Sequence, residues 1–251
     1  MAIGIVHGRE VGNRPRYPQE FFELMRIIIV AGIPLGIVVI GGGSRLAMYL
    51  LRLTSPDSVI GQLSDDAFVI GEFTLASTYN LLNVGGMLGV IGAAACVAVA
   101  PWLIGPGWLR LLAVGLTAAA LVGSGVIIPE GNDFAILGPT WFAVALFTGL
   151  PFIAGVLLML AVDREASTET WAGRGGRRRW IVPCVLMALV PFSVAAVVVV
   201  GLAAAALLPL RRQFLEQLSR SRPATAAVQV ALGIIPVLAF LALWDDLTVL
   251  F

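Results

Sequence analysis

The residues able to do chemistry are few and lie far apart in the chain. The most suggestive is Ser124, set between Gly123 and Gly125 in an apolar run. A serine there acts as a nucleophile only with a general base in hydrogen-bond reach, most often histidine. The single histidine is His7, in a polar N-terminal stretch. Ser–His catalysis within a membrane is therefore set aside. Aspartyl intramembrane proteolysis needs two buried aspartates, and the apolar runs hold none. A haem or copper site built on histidine fails on the same count as the serine. Cys96 and Cys184 sit in the middle of apolar runs, form no CxxC pair and have no histidine nearby, so they read as small buried apolar residues rather than a disulfide or metal ligands.

Two charged groups remain. Asp65, Asp66, Glu72, Glu130 and Asp133 fall in two polar stretches with almost no accompanying base. Brought together, such carboxylates could bind a hard cation, attract a cationic ligand or meet the basic residues of a partner. The plainer reading is solvated loop charge. The run GRGGRRRW, Gly173 to Trp180, carries Arg177, Arg178 and Arg179 ahead of an apolar stretch and suits anionic lipid headgroups. Asn80 and Asn83 are polar groups at the start of another apolar window. Arg45, near the end of the first window, is expected to snorkel to headgroups in preference to pairing with an outer carboxylate.

Whatever positions these residues must itself live in lipid. Of 251 residues 59% are hydrophobic and 12% charged, and a soluble domain is typically about 25% charged. A globule of this length could not hide so much apolar surface. Net charge is +1, which gives no bulk attraction to nucleic acid. All sixteen basic residues are arginine, a bias expected of a high-GC bacterial coding sequence. The first apolar run begins well after Pro15 and Pro18, so a retained anchor is expected rather than a cleaved signal peptide.

A bilayer core about 30 Å thick takes about 20 apolar helical residues to cross. Six windows qualify: Ile27 to Gly43, with continuation toward Leu51, then Leu81 to Ile104, Leu109 to Ile128, Thr140 to Val162, Trp180 to Leu208 and Ala224 to Trp244. The expected fold is an all-α membrane protein, a bundle of about six transmembrane helices. The expected organisation is an N-terminal cytoplasmic tail (1–26), a four-helix core with acidic outer loops (27–162), a basic cytoplasmic loop (163–179) and a C-terminal two-span segment (180–251). With the N-terminus inside, ten arginines flank the inner side and five the outer, as the positive-inside rule asks. Pro209 to Pro223 is the exception, since its four arginines would then lie outside. Either the fifth window is a re-entrant or tilted pair that returns inside, or a partner holds the last helices, or the rule is broken locally; six spans are preferred. RRQFLEQLSR within this loop reads as an amphipathic surface helix.

Smaller signals concern packing. Gly32 and Gly36, Gly85 and Gly89, and Gly115, Ala119 and Gly123 recur four apart, which lets helix backbones approach closely, within one bundle or at an oligomer interface. Pro34, Pro183, Pro191 and Pro236 lie inside apolar windows and are expected to kink them. AFVIGEFTL, Ala67 to Leu75, reads as extended chain, and PEGNDF as a turn; together the outer loops are expected to form a small cap, a β-hairpin. No repeat relates the two halves of the chain, which weakens an inverted-repeat transporter.

At SDDAFVIGEFTLASTYNLL and PEGNDFAILGPTWFAVALF the chain resembles polytopic membrane proteins common in actinobacteria, over about residues 1–160. That resemblance implies a multi-pass bacterial membrane protein and brings no activity, substrate, cofactor or catalytic residue. The sequence therefore favours a non-enzymatic accessory, scaffold or sensor component of the bacterial cytoplasmic membrane. Its expected partners are membrane lipids and a membrane-protein partner or a second copy, with no nucleic acid and no cofactor. The alternative is a transporter or channel for an apolar or weakly polar solute. A lipid-modifying enzyme using the outer carboxylates has no motif behind it. A continuous polar path through the bundle would favour transport, and a tightly packed interior the accessory reading.

Overall fold

The computed structural model describes residues 17–63, 69–103, 105–128, 131, 136–166, 181–219 and 222–251. It is an all-α membrane helical bundle. Helix α1 (Tyr17–Leu35) runs without a break into a π-helical segment (Gly36–Gly42) and α2 (Gly43–Thr54). Then follow α3 (Leu75–Val99), α4 (Gly107–Val126), α5 (Thr140–Ala166), α6 (Ile181–Leu189), α7 (Pro191–Ser219) and α8 (Arg222–Leu250). Among the described residues, five helices are long and apolar enough to cross a membrane: Gln19–Thr54, Leu75–Trp102, Gly107–Val126, Thr140–Ala166 and Ala226–Leu250. The apolar window from Trp180 to Leu208 is not one helix. It is interrupted at Val190, which leaves a nine-residue α6 and a separate α7.

The first helix starts earlier than its apolar window, at Tyr17, because Phe21, Phe22, Leu24 and Met25 extend the apolar face. Its π segment follows Pro34, which has no N–H to give to the preceding turn. Glycines 36, 41 and 42 tolerate the widened backbone. Helix α3 begins where the Thr74 hydroxyl accepts a hydrogen bond from the Ser77 N–H (3.1 Å), an N-cap. Between α2 and α3, Gly61 N–H donates to Ile70 O (2.9 Å) and Ile70 N–H to Gln62 O (2.8 Å), beside a single antiparallel bridge from Leu63 to Val69. Pairing thus occurs within the first loop. Among the described residues there is no strand, and no hairpin joins the two loops. A one-bridge turn suits the positive φ angles of Gly61 and Gly71, which reverse the chain before a ladder can extend.

Two apolar cores lie at different depths. The larger gathers Ile27, Ile33, Val90, Ala93, Met159 and Val162 from α1, α3 and α5, with Val190 and Val197 from the interrupted window. The smaller joins Leu51, Ile127, Ala143 and Leu243 near the far ends of α2, α4 and α8 and the start of α5. Closest of all is the crossing of α1 and its π segment with α3. A Cβ added at Gly32 would stand 2.6 Å from Gly89 O, and one at Gly36 would meet Gly85 O. The four-residue glycine spacing on both helices is therefore used inside the bundle, as a backbone-to-backbone contact. Gly115 of α4 instead makes room for side chains, those of Phe152 and Val156 of α5.

Candidate functional site

The start of α1, the end of α3, the start of α4 and the end of α5 meet at one face, and buried charge collects there. Arg26 is only 3% exposed. Its Nε lies 3.0 Å from Glu23 Oε2 and its Nη1 3.2 Å from Glu165 Oε2, while Nη2 donates to the Glu165 carbonyl (3.1 Å). Arg110, 7% exposed, donates from Nη2 to Ala100 O (3.4 Å) and stands 3.9 Å from Asp163 Oδ1. Each guanidinium thus reaches a carbonyl at the end of a neighbouring helix, where such groups lack intrahelical partners and the helix dipole favours a cation. Arg26 ties α1 to α5, and Arg110 ties α4 to α3 and α5. The second tie is looser: Arg110 Nε and Asp163 Oδ1 are buried without a hydrogen-bond partner.

Arg26, the last residue of the tail expected from the sequence, lies within α1, where Glu23 and Glu165 pair with it. The signal was present in part, since Glu23 and Arg26 are spaced for a same-face helical pair. Nothing local marks Glu165, 139 residues away along the chain.

Beside the cluster, α1 and α5 leave a cavity of about 270 Å³. Val30, Ala31, Pro34, Leu157 and Leu160 line it, and Arg164 and Glu165 close its charged end. At another depth Asn83, 2% exposed, donates from Nδ2 to Tyr79 O (2.9 Å) and leaves Oδ1 buried without a hydrogen-bond partner. Asn80 is exposed.

Of the acidic set, Glu72 is exposed on the loop before α3. Asp65, Asp66, Glu130 and Asp133 lie outside the described residues, as do Arg177, Arg178 and Arg179. Arg45 lies over the Phe73 ring, 4.5 Å from its centroid, a cation–π contact that holds the loop to α2. Arg52 pairs with Asp57 (3.0 Å) at the exposed loop start. Cys96 is buried as expected, whereas Cys184 is exposed, because short α6 presents only one side to the bundle. Ser124 Oγ donates to Leu121 O (3.2 Å), an ordinary use of a helical serine. Among the described residues, no three His, Cys, Asp or Glu side chains come together as metal ligands.

No family model, curated protein or solved structure matches this chain.

Proposed function

We propose that this protein is a non-enzymatic accessory, scaffold or sensor component of a bacterial cytoplasmic membrane. In this reading its acidic outer loops contact a partner, and its arginines engage lipid headgroups on the cytoplasmic side, where the N-terminus lies. The observation that carries the reading is the closed interior. The α1–α3 crossing leaves no room for a Cβ, and Ile33, Val90, Ala93 and Met159 fill the centre with apolar side chains exposed by no more than a trace. A solute path would need polar groups in sequence along such a centre. Within the candidate span Ala226–Leu250 only 11% of the most apolar 18-residue stretch is buried, so α8 has most of its surface available to lipid or to another subunit. High-GC composition and the arginine balance support the bacterial setting and the orientation.

Gentle extraction from the native membrane followed by native mass spectrometry tests this. A stoichiometric protein partner is expected, and Asp66→Ala with Asp133→Ala should leave expression unchanged while weakening that association. A lone monomer carrying a small solute would overturn the reading. One set of observations favours the transport alternative: an interrupted helix, a π segment and the orphan Oδ1 of Asn83 within the same region of the bundle. Broken helices and π segments recur at sites in membrane proteins. Uptake of apolar solutes into vesicles holding the purified protein separates the two.

A further inference from the structure

We infer that residues 181–219 enter and leave the membrane on the face where α1 begins, so the described residues cross it five times and Gln19 and Phe251 lie on opposite sides. Helix α6 packs along the Tyr17–Leu35 stretch of α1, the part nearest that face. Its end, Val190, sits against Gly86 near the middle of α3: a Cβ at Gly86 would meet Val190 Cγ1 at 2.7 Å and Ile37 Cγ1 at 3.5 Å. Eleven residues later, Gly201 faces Met25 Cε (3.6 Å) and Phe21 Cζ (3.8 Å), in the opening turns of α1. Between these points α7 rises about 16 Å, and the matching stretch of α1, Ile37 back to Met25, spans about 18 Å. Helix α7 therefore runs back toward the face from which α6 came. Nine residues of α6 rise only about 13 Å, less than half a bilayer core.

Lipid asks of a broken helix that its freed backbone groups be buried in protein and satisfied. Val190 is buried, and Ser193 is fully so. The Ser193 N–H (3.0 Å) and Oγ (2.6 Å) both donate to Val190 O. Pro191, at the first helical position, has no N–H to satisfy. Helix α8 then makes the last crossing: Leu243 approaches Gly123 (3.2 Å to an added Cβ) and clusters with Leu51 and Ile127 at the opposite face. Charge balance agrees independently. On this path fourteen of the sixteen arginines belong to segments on the α1-start side, leaving Arg45 and Arg52 across the membrane. A single straight span through 181–208 would send the arginines of 209–223 to the wrong side.

The test uses the full chain with Cys96→Ala and Cys184→Ser, carrying single cysteines at Gln19, Ser219 or Phe251. Sealed cells or vesicles are treated with a membrane-impermeant maleimide before and after permeabilisation. Gln19→Cys and Ser219→Cys should label from one side and Phe251→Cys from the other. Labelling of Gln19→Cys and Phe251→Cys from the same side would overturn the inference. The turn's position is checked by Gly86→Cys with Val190→Cys. An ideal Cβ at 86 lies 3.5 Å from Val190 Cβ, within disulfide reach, so oxidation should cross-link most of the folded protein. No cross-link in protein that labels normally at its ends would remove the turn from that depth.

Discussion

Arg26 and Asn83 are both buried polar residues, but their removal should have unequal consequences. Arg26→Ala strips the partner from Glu165 at the end of α5 and leaves a carboxylate in a poorly hydrated place. We expect a loss of about 3 kcal/mol or more, seen as a lower midpoint in thermal unfolding in detergent. Pairing Arg26→Met with Glu165→Gln should recover most of it, since an apolar replacement of both charges is often neutral. A double variant as unstable as the single one would mean that Arg26 acts through something other than Glu165. Asn83→Ala instead removes an oxygen that already lacks a partner and one hydrogen bond to Tyr79 O. Those effects offset, so stability should change by less than about 1 kcal/mol. A loss of solute uptake at unchanged stability would make Asn83 part of a path and would favour transport.

Among the elements, the helices fixed by long apolar runs were legible and the interruptions were not. Leu81 to Ile104 and Thr140 to Val162 announce themselves because twenty apolar residues in a row have few other uses. Even so, α3 begins at Leu75, where Thr74 caps it, six residues ahead of its apolar window. The break at Val190 falls within an unbroken apolar stretch, and Pro191 alone does not distinguish it from Pro236, which lies inside α8 without ending it. What separates the two is tertiary: the room made by Gly86 for Val190, residues about a hundred positions apart. The glycine spacing was legible as a packing signal, but its partner was not. Gly36→Leu and Gly89→Leu should each push α1 from α3 and cost about 2 kcal/mol or more, because the clash is with backbone and cannot be relieved by a rotamer change. Gly125→Leu, with open space around the added Cβ, is the control and should be tolerated in the same unfolding assay. Equal effects at all three would mean that helix propensity and not the crossing is being measured. Ser193→Ala should cost about 1 kcal/mol by removing the hydroxyl bond to Val190 O.

The described residues form a bundle of apolar helices, packed at its centre around Ile33, Val90, Ala93 and Met159 and tied at one face by Arg26 and Arg110. Its class was legible from composition, because lipid is the only solvent that accepts this surface. Its charged ties were not, because Arg26 and Glu165, and Arg110 and Asp163, are brought together only by the fold. The acidic set singled out from the loops stays an expectation for the partner experiment, with Glu72 the one member placed, on an exposed loop. A closed interior excludes water, and water-soluble thiol reagents report whether it does. In a cysteine-free background reconstituted in bilayers, single cysteines replace Val90, Ala93 and Met159, all buried without measurable exposure. None of the three should react with a methanethiosulfonate reagent from either side until the protein is unfolded. Reaction at these positions in the folded protein would show water at the centre of the bundle, and the protein would then be a conduit rather than a scaffold.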